Sequence, residues 1–134
     1  EKFSAEKIKQ LKQQYPDAPV LTHPECKQEV VAISDFVGST QAILNFAGKS
    51  DAQRFIVATE CGILHKMKQQ FPHKTFIPAP STDGLPCNEC NYMRLNTLEK
   101  VYHCLLNETP EVIVEPALAE KAVKPILRML ELSK

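Results

Sequence analysis

The sequence carries no net charge: 16 Lys and Arg residues are matched by 16 Asp and Glu. Without an excess of positive charge there is no global attraction to nucleic acid or to an anionic membrane surface, so neither is expected as a partner. No apolar run reaches the ~18 residues that argue for a transmembrane helix. The opening Glu1-Lys2-Phe3-Ser4 reads as neither a secretory signal nor an initiator methionine. The chain has no G-x-x-x-x-G-K, which excludes a P-loop, and no G-x-G-x-x-G, which leaves dinucleotide binding unsupported. It has no second C-x-x-C to join Cys87 and Cys90, because Cys26, Cys61 and Cys104 stand alone. A four-thiolate zinc site made of two such pairs is therefore excluded. Five cysteines, an odd number at irregular spacing, are no disulfide framework, and a reducing, cytoplasmic compartment fits best.

What is present suits a globular domain. The 134 residues are 43% hydrophobic and 24% charged, enough to build a real core. Ser4 is a good N-cap for a first helix with Ile8, Leu11 and Tyr15 on one face, ended by Pro16. Pro19 to Thr22 reads as a short buried strand, Lys27 to Ile33 as a short helix, and Asp35 to Val37 as a second strand. Gln41 to Ala47 reads as a helix closed by Gly48. Arg54 to Ala58 is a β-branched strand, Ile63 to Gln70 a helix, and Lys74 to Ile77 a fourth strand. Short apolar strands alternating with helices through short loops predict a parallel sheet covered on both faces. The fold class expected is α/β, a three-layer α/β/α sandwich with a short parallel sheet plus a C-terminal helical extension. The extension comprises a helix over 96–107, a strand or extended crossing over Glu111–Val114, and an amphipathic helix over 117–132. Pro125 is expected to kink that last helix or mark its restart. The organisation read from the sequence is residues 1–93 as the α/β domain and 94–134 as the extension, whose surplus apolar surface calls for a partner outside these residues.

Chemistry-bearing residues recur where strands give way to helices, the edge at which open parallel sheets bind ligands. His23 and Glu25 flank a proline that fixes the backbone between them, so an imidazole and a carboxylate face the same rim. They are a candidate acid–base pair or, equally, a strand cap and a first-turn acid. Gly38-Ser39-Thr40 offers hydroxyls and helix N–H groups suited to a carboxylate or phosphate, or else an ordinary N-cap. Cys87-Asn88-Glu89-Cys90 follows a proline-rich approach and precedes a helix, an arrangement suited to metal ligation, dithiol redox chemistry or a plain structural turn. Cys26, Cys61 and Cys104 are expected to be structural, with Cys104 near a core face.

Taken together, His23-Pro24-Glu25, Val37-Gly38-Ser39-Thr40, Ile56 to Glu60 with Gly62-Ile63-Leu64-His65, and Cys90-Asn91-Tyr92-Met93 resemble quinolinate synthase. Asn96-Thr97-Leu98 and Pro125 to Leu130 extend the resemblance along the whole chain. The family usually has proline after the ligand cysteine, where Asn91 stands here. The resemblance implies an enzyme of de novo NAD biosynthesis that condenses iminoaspartate with dihydroxyacetone phosphate to form quinolinate. It implies a [4Fe-4S] cluster, acting as a Lewis acid, held by three cysteines from three similar α/β domains. On it, Cys90 is one cluster ligand and the two further cysteine ligands lie outside this chain. Cys87 is an accessory cysteine, and Cys26 is not a ligand. His23, Pro24 and Glu25 form a substrate-binding segment, with His23 and Glu25 catalytic, and Ser39 and Thr40 bind a carboxylate or phosphate. The chain then corresponds to the third domain plus a C-terminal hairpin that packs on the first domain, in the rest of its own chain. Alone it is expected to be inactive. A C-x-x-C dithiol or zinc protein, and a non-catalytic α/β module binding small acids, are the other classes the residues allow.

Overall fold

Every residue of the strand β1 (Val20–Thr22) is buried, although successive side chains of a strand point to opposite faces. Such a strand must be covered on both sides. In the computed structural model, which describes residues 2–82 and 92–133, it is. The further strands are β2 (Phe36–Val37), β3 (Arg54–Ala58) and β4 (Thr75–Pro78). All pair in parallel, in the order β2-β1-β3-β4. Helices α1 (Ala5–Gln14) and α2 (Gln28–Val31) supply Ile8 and Val30 to one core, against Val20, Ile56 and Ala58 of the sheet. Helices α3 (Thr40–Lys49) and α4 (Gly62–Gln70) supply Ile43, Leu44 and Met67 to the other, against Leu21, Phe55, Val57 and Phe76. The expected three-layer α/β/α sandwich is thus the observed one, and the period-two alternation along β3 is what feeds both cores.

Local chemistry sets most element ends. Ser4 Oγ accepts from Lys7 N–H at 3.3 Å and opens α1. The expected helix over 27–33 shortens to α2, because Ser34 Oγ donates to Val30 O at 2.7 Å and closes the turn early. Gly48 does not close α3, which runs through it to Lys49. A Cβ at position 48 would meet Cζ of Phe71 at 2.9 Å, so glycine is there for close packing and not as a cap.

The end of α3 is held by a distant side chain instead. Lys74 Nζ donates to Ala47 O at 2.7 Å and Ser50 O at 2.6 Å. Its ammonium also lies over the rings of Phe55 and Phe71. A cation at a helix C-terminus satisfies carbonyls that have no partner within the helix. Lys74→Met keeps the stem over the rings and removes the donor. It is expected to cost about 2 kcal/mol of stability, read as a lowered urea midpoint. An unchanged midpoint would mean that α3 ends correctly without it.

The N-terminal arm is tied to the end of β4. Phe3 bridges Ser81 in antiparallel sense, and Thr82 N–H and Ser81 Oγ both donate to Lys2 O, at 2.8 and 3.0 Å.

The chain divides into two compact units, Glu1–Arg94 and Leu95–Lys134. The second unit contains α5 (Leu98–Asn107) and α6 (Pro116–Leu132). Thr97 caps α5 through Lys100 N–H, and Glu115 caps α6 through Ala117 and Leu118 N–H. Residues 108–115 form no strand, since this unit offers no strand for them to pair with. Pro125 lies inside α6, which continues past it as one helix. Neither helix buries a residue, and Leu98, Leu105, Leu106 and Leu118 are among the exposed apolar side chains. Among the described residues no helix is long and apolar enough to cross a membrane.

Candidate functional site

All four strands point the same way, so their carboxyl ends share one edge. From β1 the chain goes to one neighbour, β2, then crosses to the other, β3. The connections on either side of β1 therefore leave to opposite faces, and a crevice opens beyond the carboxyl ends of β1 and β3. This is the topological switch point at which open α/β sheets bind ligands. The tip of β1 is fixed on both flanks: His23 N–H donates to Ala58 O at 3.1 Å, and Gly38 N–H donates to Thr22 O at 3.0 Å.

His23, Pro24 and Glu25 form a tight turn at this tip, closed by Cys26 N–H donating to His23 O at 3.0 Å. Pro24 occupies the second position of the turn, where its fixed φ is favoured. His23 Nδ1 accepts from Glu25 N–H at 3.4 Å. That contact leaves the proton of a neutral ring on Nε2, facing away from the turn. Nδ1 also lies 3.9 Å from Glu25 Oε2. The two contacts are alternatives: a protonated ring turns its Nδ1–H to the carboxylate and gives up the N–H bond. The side chain of His23 is 20% exposed and that of Glu25 76%. The carboxylate makes no hydrogen bond to a fixed donor among the described residues, so it is the movable partner of the pair.

Ser39 and Thr40 sit at the tip of β2. Ser39 Oγ accepts from Ala42 N–H at 3.2 Å, which makes Ser39 the N-cap of α3. Its oxygen is engaged, although its O–H remains a donor. Thr40 is the first residue of the helix and is exposed, so its hydroxyl and first-turn N–H are available to an anion. Gly38 is a packing glycine: a Cβ there would lie 2.9 Å from the Phe36 ring and 3.0 Å from Ala42 Cβ. At the tip of β3, Glu60 Oε2 accepts Gly62 N–H at 2.6 Å and caps α4.

Beyond β4, Ser81 and Thr82 hold the N-terminal arm through Lys2 O. Cys104, expected near a core face, lies exposed on α5. Cys26 is buried, its Sγ donating to Ala58 O at 3.5 Å, as a structural cysteine should. Cys87 and Cys90 lie outside the described residues. Among the described residues no group of three His, Cys, Asp or Glu side chains is placed to hold a metal ion.

Residues 1–131 match the family model described as Quinolinate synthetase A protein. The chain is 51% identical over 133 residues to the quinolinate synthase of Microcystis aeruginosa, covering 99% of this chain and 42% of that protein. It is 53% identical to that of Chloroherpeton thalassium, covering 98% of this chain and 41% of the relative. The quinolinate synthase of Synechocystis sp. is 48% identical, with 99% and 42% covered. The chain thus spans about two fifths of the length of the curated relatives it matches.

Proposed function

This chain belongs to the quinolinate synthetase A family, and we propose that it is the part of a quinolinate synthase that carries one wall of the active site. The observation that carries the proposal is the family match over residues 1–131. The fold supports it by setting His23-Pro24-Glu25 and Ser39-Thr40 at the tips of adjacent strands beside the switch point. The whole enzyme, on this reading, condenses iminoaspartate with dihydroxyacetone phosphate, releasing phosphate and water, to form quinolinate for NAD biosynthesis in the cytoplasm. This chain alone supplies one portion of the site and is inactive.

Each residue has a role suited to its placement. His23, with its proton on Nε2, donates to a substrate oxygen or hands over that proton. Glu25, movable and without a fixed donor, takes or returns protons during the dehydrations. Ser39 shapes the first turn of α3. Thr40 and the N–H groups of that turn hold a carboxylate or phosphate, helped by the helix dipole. A [4Fe-4S] cluster, with Cys90 as one ligand and two cysteines elsewhere in the protein, supplies a Lewis-acidic iron when bound. The bridge between Phe3 and Ser81 is favourable for such sharing. It brings the chain entering this domain beside the stretch that leaves β4 for Cys87 and Cys90.

The test is anaerobic iron–sulfur reconstitution of the full-length protein, read by visible absorption and EPR, with quinolinate formation as the activity. An iron–sulfur band with quinolinate formed supports the reading. Bound zinc or a reversible Cys87–Cys90 disulfide without activity supports a dithiol or zinc protein, and dicarboxylate binding with no metal supports a binding module.

Thr40→Val gives a finer check on the anion site. It keeps the shape of the side chain and removes one donor to a charged group, worth roughly 1.5–3 kcal/mol, or ~10- to 150-fold in substrate binding. Cluster absorbance should be unchanged. If the kinetics of Thr40→Val match wild type, Thr40 only begins a helix.

A further inference from the structure

Three polar residues of the described chain are buried: Thr22, Thr59 and Ser81. Buried hydroxyls are nearly always hydrogen-bonded, and two of these are. Thr22 Oγ1 lies 2.6 Å from Ser34 Oγ, and Ser34 in turn donates to Val30 O at 2.7 Å, so Thr22 is the donor of the first pair. Ser81 Oγ donates to Lys2 O. The Thr59 hydroxyl has no hydrogen-bond partner among the described residues, although the residue is only 5% exposed. Among the described residues no side-chain oxygen or nitrogen sealed from solvent lacks a partner. The Thr59 oxygen is therefore the part of the residue that reaches an opening.

That opening is the crevice already described. Thr22 and Ala58 are ladder partners, and His23 N–H donates to Ala58 O, so one residue further His23 and Thr59 lie side by side. Thr59 continues the alternation of Phe55 and Val57, and His23 continues that of Leu21, toward the face covered by α3 and α4. Thr40 opens α3 on that face. The groups at the tips of β1 and β2 are mostly donors: the His23 Nε2–H beside Thr59, and beyond it the Thr40 hydroxyl and the first-turn N–H groups of α3. Of the two nearby carboxylates, that of Glu60 is engaged with Gly62 N–H, and that of Glu25 stands out into solvent.

We infer that the Thr59 hydroxyl is a substrate-binding group of this crevice, donating a hydrogen bond to an anionic oxygen of the bound acid beside His23 and the first turn of α3. The inference rests on the quinolinate synthase reading and adds a residue to its site. A hydroxyl without a partner among the described residues, set beside donors at a ligand-binding edge, is satisfied by an acceptor that arrives with the substrate.

The test compares Thr59→Val and Thr59→Ser in the full-length protein. Thr59→Val is nearly isosteric and removes a hydroxyl that bonds nothing within the described fold. Its urea midpoint should stay the same or rise, and its cluster absorbance should be unchanged. Its kcat/KM for quinolinate formation should fall ~10- to 150-fold. Thr59→Ser restores the donor and should lie within about threefold of wild type, losing only a methyl group's packing. Wild-type kcat/KM in Thr59→Val overturns the inference. So does an equal loss in both variants, which would assign the effect to the methyl group. If wild type itself forms no quinolinate under reconstitution, the enzymatic reading fails and takes this inference with it. That outcome is distinct from a failure confined to Thr59.

Discussion

Cys90→Ser in the full-length protein is expected to abolish the iron–sulfur cluster and all quinolinate formation, while Cys26→Ser leaves both in place. The contrast separates a ligand from a structural thiol. Cys26 is close in sequence to His23 and Glu25, so proximity alone would nominate it. Its surroundings argue otherwise: it is 7% exposed, in the core with Val30 and Ala58, and its Sγ donates to Ala58 O. Serine there exchanges a thiol donor for a hydroxyl donor and loses some buried apolar volume, a cost expected to stay near 1 kcal/mol. Cys90 lies beyond Ser81 and Thr82, which bind the arm that leads into the domain. On the proposed reading Cys90 is one of three thiolate ligands, so its removal would leave an iron without its ligand, and serine is a poor substitute for a soft thiolate. Anaerobic reconstitution followed by visible absorption and iron quantitation reads the result. A cluster retained in Cys90→Ser, or lost in Cys26→Ser, would sink the ligand assignment.

Glu25→Gln should lower kcat by ~10²- to 10⁴-fold, the range for loss of a general acid or base, with KM changed little. Glutamine keeps the length of the side chain and some hydrogen bonding but cannot exchange a proton. The split between kcat and KM is therefore diagnostic. The geometry favours Glu25 as the mobile member of the pair, because no fixed donor among the described residues holds its carboxylate. His23 is anchored through its backbone to Ala58 and through Nδ1 to Glu25 N–H. The Glu25 backbone N–H survives the substitution, so the ring of His23 should keep its tautomer. Normal turnover in Glu25→Gln would remove its acid–base role and leave it at most a positioning residue. A raised KM with unchanged kcat would make it a binding group.

The rim residues were legible because their types and their places between elements are local properties. A proline between His23 and Glu25, or Gly-Ser-Thr before an apolar run, can be read without knowing the partner strands. The work each residue does was less legible. Ser39 and Thr40 look equivalent in sequence, yet only Ser39 has the backbone geometry of the cap. Thr59 carries no signal of its own in the sequence, and what distinguishes it is a nearly buried residue whose hydroxyl has no partner among the described residues, a property of three-dimensional surroundings. Ser81 looks like one more polar tip, and its bond to Lys2, at the far end of the sequence, makes it a strut.

The sequence by itself determined the alternation of helix and strand, the cover on both faces of the sheet, and the Ser4 cap of α1. These follow from side-chain period and hydrogen bonding within a few residues. Only the tertiary structure decided the strand order β2-β1-β3-β4, and with it which two tips flank the crevice. The direction in which each connection crosses the sheet depends on packing between distant residues. The same holds for Gly48, which looks like a helix stop in sequence. It lies within α3 because the ring of Phe71 fills the space a side chain would take. Lys74, 24 residues beyond Ser50, does the stopping.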